Sequence, residues 1–343
     1  MGSVPDGARF VSVQAMVTEL DLPEPFRRRV LAGGGDRTER ARWLRDLPDV
    51  VATLVERWEL DLGELLPLSW SYVVAATRPP GDTCVLKISP PAGPDGEGSV
   101  REGLALRLAG PSAVRVLEED AEAGALLLDR ATGGPLSELC VREDDRASEF
   151  LASAMMRFWA PTGAESGLPP LSTLEDTFEA FDRGPHGASY RGRDLTATLA
   201  EIDSGVRDLR VAAVTARRVL EELLADRVAT VVVHGDLHHD NVLEDETRGW
   251  AVIDPKGFFG DPGYDVAVMF YNPMPFPLGL GDMEGVVRRR LDVMGDRTRM
   301  DREKLAAWGY VKAVLSMLWS LEAGQVSRQD PRMYTMAALR NMI

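Results

Sequence analysis

The stretch from Val231 to Asp254 constrains the fold of this chain more than any other part of the sequence. Three consecutive valines lead into the run His-Gly-Asp-Leu-His-His-Asp-Asn, which begins at His234. An apolar, β-branched run that stops at a polar loop predicts a buried strand. Two more short strands are predicted at Val242–Leu243 and Trp250–Ile253, joined by a polar turn. The polar side chains at these strand ends are Asp236, Asn241 and Asp254.

The spacing of these residues indicates phosphoryl-transfer chemistry. Four residues separate Asp236 from Asn241, as in kinase catalytic loops, where the aspartate accepts the acceptor hydroxyl's proton and the asparagine binds magnesium. Asp254 supplies a second hard oxygen of the kind that magnesium takes alongside phosphates and water. Asp and Asn are also common turn residues, but their link to Asp254 across one hairpin favours the catalytic interpretation.

The histidines of this loop have two interpretations. His234, His238 and His239 suggest zinc, but no matching cysteine or His-Glu-x-x-His helix spacing accompanies them. We therefore expect His234 to fix the loop by hydrogen bonding.

Lys256 follows Asp254 in the run Asp-Pro-Lys-Gly. A cation beside a metal ligand would contact the transferring phosphoryl group and stabilise its developing charge. A structural ion pair with Asp261 or Asp265 explains Lys256 equally well. Asp265 itself is predicted in the first turn of a helix, where we expect a structural role.

Residues upstream of the loop predict a nucleotide site. Lys87 lies on a predicted strand, and the next predicted helix carries Glu102, with Glu97 as an alternative. A lone strand lysine is usually a solvated surface residue. The order of a lysine strand, a glutamate helix, a hinge and the Asp/Asn loop is nevertheless the order that kinase chemistry needs. Ser69 lies where a loop would cover the phosphates, although no G-x-G-x-x-G motif is present and the absence of GxxxxGK[ST] excludes a Walker-type site.

Length and composition limit the remaining options. A chain of 343 residues predicts two lobes. The formal net charge of -15 argues against a nucleic-acid partner and is compatible with a cationic small substrate. Two cysteines form no disulfide framework. Since there is neither a signal-like start nor a run of about 18 apolar residues, we expect a cytoplasmic protein without a membrane span.

Three regions are predicted along the chain. Residues 1–60 form an N-terminal extension and a helix, which Pro48 would kink or divide. Residues 61–130 form a nucleotide-binding sheet with Lys87 and the Glu102 helix. Residues 131–343 form a helical region with the catalytic loop and the acceptor site, and the Gly-rich segment of residues 129–134 is the predicted hinge.

Several motifs together resemble the aminoglycoside phosphotransferase family. They are His234-Gly-Asp-Leu-His-His-Asp-Asn241, Ile253-Asp-Pro-Lys-Gly257 and Gly260-Asp-Pro-Gly-Tyr-Asp265. The second and third are similar to the streptomycin 6-phosphotransferase and hydroxyurea phosphotransferase branch. The resemblance covers roughly residues 40 to 320, and the extension before it has no assigned role.

The resemblance implies an α+β, bilobal protein-kinase-like fold with a small β-rich N-lobe and a larger, mostly helical C-lobe. It implies ATP in the cleft, Mg²⁺ on Asn241 and Asp254, and Asp236 as the catalytic base. Lys87 would bind phosphates with Glu102 as its partner. The hinge backbone would hold the purine, and its residues are Leu127, Leu128, Asp129 and Arg130.

We therefore predict ATP-dependent O-phosphorylation of a small hydroxylated molecule, with a streptomycin-like aminoglycoside as the leading acceptor and antibiotic resistance or self-protection as the role. Hydroxyurea or another natural product is the alternative within this class. A protein kinase is disfavoured because the Gly-rich loop and an Ala-Pro-Glu segment are missing. A non-catalytic nucleotide-binding module is disfavoured because Lys87, Asp236, Asn241 and Asp254 are all present. The oligomeric state is not predicted.

Overall fold

A computed structural model describes residues 20, 22–33, 36–91, 98–182, 189–190, 193–194, 209–323 and 330–343. Within these residues the chain divides into two compact units. The first comprises residues from 1–99 and 117–130, and the second comprises residues from 100–116 and 131–343. Glu97, the alternative to Glu102, lies outside the described residues.

The first unit is a five-stranded sheet covered by two helices. Its strands are ordered β1-β2-β3-β5-β4, and the neighbours from β1 to β5 pair antiparallel. Apolar side chains of both helices and of three strands form its core. The helices are α1 (Glu24–Ala32) and α2 (Arg37–Arg57), and the strands are β1 (Asp61–Leu65), β2 (Tyr72–Arg78), β3 (Asp82–Ile88), β4 (Val116–Asp120) and β5 (Ala125–Asp129).

The helix α2 continues through Pro48, so the expectation that this proline would divide it is wrong. Proline removes one backbone donor and crowds the preceding turn. The helix nevertheless buries Leu47, Val51 and Leu54 completely or nearly so, and burying each such side chain contributes about 1.5–3 kcal/mol. Packing therefore outweighs the local penalty.

The residues ahead of α2 belong to this core. Phe26 and Val30 of α1 are buried, and the Phe26 ring meets Trp43 edge-on, with 6.4 Å between centroids. Residues 22–33 therefore pack in the core of the first unit, whereas the sequence had left the residues before position 40 without a role.

The second unit is mostly helical. Its helices are α3 (Ser99–Leu108), α4 (Ser137–Cys140), α5 (Asp144–Phe158), α6 (Glu175–Asp182), α7 (Leu209–Ala225), α8 (Gly263–Ala267), α9 (Phe276–Gly279), α10 (Met283–Thr298), α11 (Arg302–Ala323) and α12 (Pro331–Leu339). Its short strands are β6 (Ser189–Tyr190), β7 (Arg193–Asp194), β8 (Val231–Val233), β9 (Val242–Asp245), β10 (Gly249–Val252) and β11 (Phe258–Gly260). They form three two-stranded sheets: β6 with β7, β8 with β11, and β9 with β10.

The helix α3, which carries Glu102, is grouped with the second unit from residue 100 onward, whereas the sequence-based division had placed it with the sheet. The physical reason lies in its contacts. The Arg101 guanidinium donates to the Gly257 carbonyl (2.7 Å) and lies 4.2 Å above the Phe258 ring. Gly257 also packs so closely on Ala105 that an added Cβ would lie 2.9 Å from its methyl group.

Among the described residues, no helix is both long enough and apolar enough to cross a membrane. Cys84 and Cys140 are buried free thiols, consistent with packing roles.

Candidate active site

Short strands position the loop from His234 to Asn241. The strand β8 leads into it and pairs with β11, with Val233 opposite Phe258. The hairpin β9–β10 follows the loop, and at its end the Ile253 amide donates to the Asn241 carbonyl (3.0 Å). The loop that carries Asp236 and Asn241 is thus bonded to the residue before Asp254, and the short strands lie where the sequence predicted them.

Asp265 anchors the start of the loop from the first turn of α8. Its buried carboxylate accepts hydrogen bonds from the backbone amides of His234 (2.9 Å) and Gly235 (2.7 Å) and from the Trp159 indole (3.0 Å). Burial raises the pKa of Asp265 to about 6, although these donors lower it. The expected structural role is confirmed. The sequence placed Asp265 in the first turn of a helix but did not predict that its carboxylate would bind the loop amides.

His234 fixes the loop through both ring nitrogens, which confirms the hydrogen-bonding role expected for it. Nε2 bonds the Ile253 carbonyl (2.8 Å) and Nδ1 accepts from the Asp236 amide (3.2 Å). This pattern places the ring proton on Nε2. Burial lowers the pKa of His234 to about 4, so the ring is neutral at physiological pH.

Asn241 ends a short 3₁₀ turn and is bonded back to Asp236. Its amide nitrogen donates to the Asp236 carbonyl (2.9 Å) and lies 3.4 Å from His238 Nε2. With the nitrogen engaged in this way, the side-chain oxygen is the atom that a cation would bind. The Asn241 oxygen and the Asp254 carboxylate are the hard donors that Mg²⁺ prefers, so this pair fits the ion that kinase chemistry requires.

The electrostatic surroundings of Asp236 favour its ionised form. Burial raises its pKa, but the positive charges of His238, Lys312 and Lys256 lower it more, so the pKa lies below its usual value. His238 Nε2 is 4.0 Å from the Asp236 carboxylate. Burial lowers the pKa of His238, whereas Asp240 and the nearby Asp236 and Asp254 raise it above its usual value.

Asp254 and Lys256 lie in the irregular segment between β10 and β11. Asp254 has a left-handed backbone with φ of 60°, and its carboxylate is 4.0 Å from the Lys256 ammonium. The Lys256 amide donates to the His234 carbonyl (2.7 Å). Asp261, one structural partner considered for Lys256, pairs instead with Lys304 at 2.9 Å. Lys256 thus lies beside Asp254, and its contact with a phosphoryl group stays a prediction.

The predicted nucleotide residues are distributed over both units. Lys87 lies in β3 and is 8% exposed, whereas Glu102 lies in the first turn of α3 and is 6% exposed. Ser69 is exposed in the bend between β1 and β2, where the Arg29 side chain donates to its carbonyl (3.2 Å) and to that of Leu68 (2.9 Å).

The predicted hinge residues lie at the end of β5. Leu127 and Leu128 are buried in the sheet, and Asp129 is its last residue. Arg130 follows and donates to Glu64 of β1 (2.9 Å). The leucine side chains are buried in the sheet, and the Arg130 side chain forms an ion pair. Nucleotide binding by this segment would therefore use its backbone groups, as the resemblance implied.

Comparisons with known proteins agree with this geometry. The family described as aminoglycoside/hydroxyurea antibiotic resistance kinase matches residues 57–324. A streptomycin 6-kinase from Streptomyces griseus is 30% identical over 312 residues, which cover 89% of this chain and 92% of the relative. A hydroxyurea phosphotransferase from Kitasatospora aureofaciens is 31% identical over 293 residues, which cover 83% of this chain and 76% of the relative.

Solved structures share the fold. A choline kinase from Streptococcus pneumoniae superposes with a TM-score of 0.55 at 14% identity, covering 87% of this chain and 99% of that one. Together with the small sheet-rich first unit and the mostly helical second unit, this likeness confirms the α+β, protein-kinase-like fold.

Proposed function

The chain belongs to the aminoglycoside/hydroxyurea antibiotic resistance kinase family, and we propose that it transfers a phosphoryl group from ATP to a hydroxyl of a streptomycin-like aminoglycoside. The name of the Streptomyces griseus relative supports this acceptor. The observation that carries the proposal is the hydrogen-bonded unit of the Asp236 carbonyl, the Asn241 amide and the Ile253 amide. This unit joins the loop of Asp236 and Asn241 to the end of the hairpin, where Asp254 follows.

Asp236 is the proposed catalytic base. Its lowered pKa keeps it ionised at neutral pH, so it accepts the hydrogen bond of the acceptor hydroxyl. It takes the proton as the new O–P bond forms and the bond from the γ-phosphorus to the bridging oxygen of the leaving ADP breaks. A weakly basic carboxylate is sufficient, because phosphoryl transfer passes through a loose transition state that depends mainly on positioning and charge stabilisation.

Asn241 and Asp254 would hold Mg²⁺. When bound, the ion would neutralise part of the negative charge of the phosphates. Lys256, beside Asp254, would contact the transferring group and oppose its negative charge.

The remaining nucleotide contacts follow from the family order of elements. Lys87 would bind the phosphates, and Ser69 would lie in the loop that covers them. The backbone of Leu127, Leu128, Asp129 and Arg130 would hold the purine.

Hydroxyurea is the second candidate acceptor, because the relative from Kitasatospora aureofaciens is a hydroxyurea phosphotransferase of similar identity. It differs from streptomycin in carrying no positive charge, so the two acceptors can be separated by electrostatics as well as by product analysis.

The deciding experiment is an ATP-consumption assay with a panel of aminoglycosides, peptide antibiotics and hydroxyurea, with the phosphorylated product identified by mass spectrometry. We expect Asp236→Asn to lower kcat by at least about 100-fold, within the range of general-base effects. The matched control is Asp292→Asn, the same chemical change at an exposed carboxylate of α10 bonded to Arg302, which should leave kcat unchanged.

Three outcomes would contradict the proposal. Near-full turnover by Asp236→Asn would remove the base assignment. ATP binding without any phosphorylated acceptor would favour a non-catalytic module, and transfer of label to protein instead of small molecules would favour a protein kinase.

A further inference from the structure

Lys312 is a buried cation whose charge lowers the pKa of Asp236, but the reaction described above assigns no role to its hydrogen bonds. It lies in the middle of α11 and is 3% exposed. Its neighbours along the helix are Val311, Ala313, Val314 and Leu315, all fully buried. Burying an ammonium group costs free energy unless the group is well hydrogen-bonded. The contacts of the Lys312 side chain therefore indicate its function.

Those contacts converge on the catalytic loop. The ammonium donates to the Gly235 carbonyl (2.6 Å) and to the Tyr264 hydroxyl (3.0 Å). It also lies 4.5 Å from the Tyr264 ring centre and 4.9 Å from that of Trp319. Lys312 is thus held by a loop carbonyl, a tyrosine hydroxyl and two aromatic rings.

Gly235 is the residue immediately before the base, and its backbone is tightly specified. Its φ is 88°, and an added Cβ would lie 2.9 Å from the Phe258 ring. Asp265 holds its amide from one side (2.7 Å), and Lys312 holds its carbonyl from the other. Since a peptide group is planar, fixing the Gly235 carbonyl also fixes the direction of the Asp236 amide, which donates to His234.

We propose that Lys312 is a positioning residue for the catalytic base: it orients the peptide between Gly235 and Asp236 and thereby aims the Asp236 carboxylate at the acceptor hydroxyl. The inference rests on the proposed function, since it assigns Lys312 to the same reaction. It differs from a purely structural role in its effect, because a misaimed base slows the chemical step without weakening substrate binding.

The test compares Lys312→Met with the wild type. We expect kcat to fall about 10- to 100-fold, since small misplacements at a reacting centre cost that much, while KM for ATP and acceptor stays within about threefold. In an Asp236→Asn background, Lys312→Met should cause no further loss, because both changes act through one residue. Lys312→Arg, which keeps the charge and N–H donors, should retain more activity than Lys312→Met.

The matched control is Lys304→Met, the same change two turns earlier on α11, at a lysine paired with Asp226 and Asp261. It should leave kcat per folded molecule unchanged. Circular dichroism establishes that each variant is folded.

A second readout does not depend on turnover. Hydrogen exchange of peptides spanning residues 231–241 should speed up in Lys312→Met and stay unchanged in Lys304→Met. Unchanged loop exchange and unchanged kcat in Lys312→Met would overturn the inference, as would equal losses with and without Asp236. If the wild type phosphorylates no acceptor, the proposed function fails, and the exchange comparison alone decides whether Lys312 holds the loop.

Discussion

Two buried histidines of the loop from His234 to Asn241 differ in how their ring nitrogens are hydrogen-bonded. His234 bonds through both of them. His239 is fully buried, and neither of its ring nitrogens has a hydrogen-bond partner within the described residues. Burial, followed by the charge of Arg290, lowers the pKa of His239 to about 3. It is therefore a neutral ring that cannot accept a proton without a large cost.

The pKa of His239 predicts acid sensitivity. An unfolded histidine titrates near 6.5, so below that pH the unfolded chain binds a proton that the folded chain does not. The unfolding free energy therefore decreases as the pH is lowered. Between pH 7 and pH 5 we expect the wild type to lose about 2 kcal/mol of unfolding free energy relative to His239→Leu. Urea unfolding of both proteins at both pH values measures this difference.

His234 and Asp265 also have shifted pKa values, but their effects on stability cancel in the comparison of wild type with His239→Leu. His234, with its pKa lowered to about 4, also loses stability as the pH falls. Asp265, with its pKa raised to about 6, has the opposite sign, because its folded form binds a proton that the unfolded form does not. Both groups are present in wild type and variant, so parallel curves would contradict the assignment to His239.

At the scale of single elements, α2 carries a removable penalty. Pro48 lies inside this helix, where proline costs about 3 kcal/mol relative to alanine. Pro48→Ala should restore a donor for the preceding turn and raise the unfolding free energy by about 1–3 kcal/mol. Thermal and urea unfolding provide the measurement.

The matched control for this change is Pro331→Ala. Pro331 is at the first position of α12, where no intrahelical donor is lost. That substitution should give no gain in stability. A gain of equal size in both variants would mean that the benefit does not come from the interior of α2.

The elements differ in how well the sequence predicted them. The apolar spacing of α2 and the valine run of β8 identified both, because one face or the whole element is buried. The helix was not divided at Pro48, since its buried apolar face packs in the core of the first unit. The grouping of α3 was not predictable, because it depends on Arg101 meeting Gly257, 156 positions away.

At the scale of the whole molecule, the net charge of -15 predicts how acceptors respond to salt. A negative field concentrates cations near the protein and is screened by added ions. Raising salt from about 50 to about 500 mM should increase KM for streptomycin several-fold and leave KM for uncharged hydroxyurea nearly constant. Equal responses of the two acceptors in steady-state assays would argue against a field effect.

The candidate site shows the limit of sequence reasoning across the whole chain. Local spacing identified Asp236, Asn241 and Asp254 as a unit, because one loop and one hairpin hold them. It could not find Lys312, whose partner Gly235 lies 77 positions away. A lone lysine in the apolar run of α11 was the available signal, yet its meaning depends on which element packs against that helix.

The left-handed backbone of Asp254 has a consequence for laboratory evolution. A non-glycine residue held at such a φ costs about 1 kcal/mol or more, and glycine would adopt it freely. Selection for heat tolerance alone should therefore favour Asp254→Gly and discard the proposed cation ligand. Selection for survival on an antibiotic should keep the aspartate. A directed-evolution experiment for a heat-tolerant, active enzyme should therefore include the antibiotic in every round.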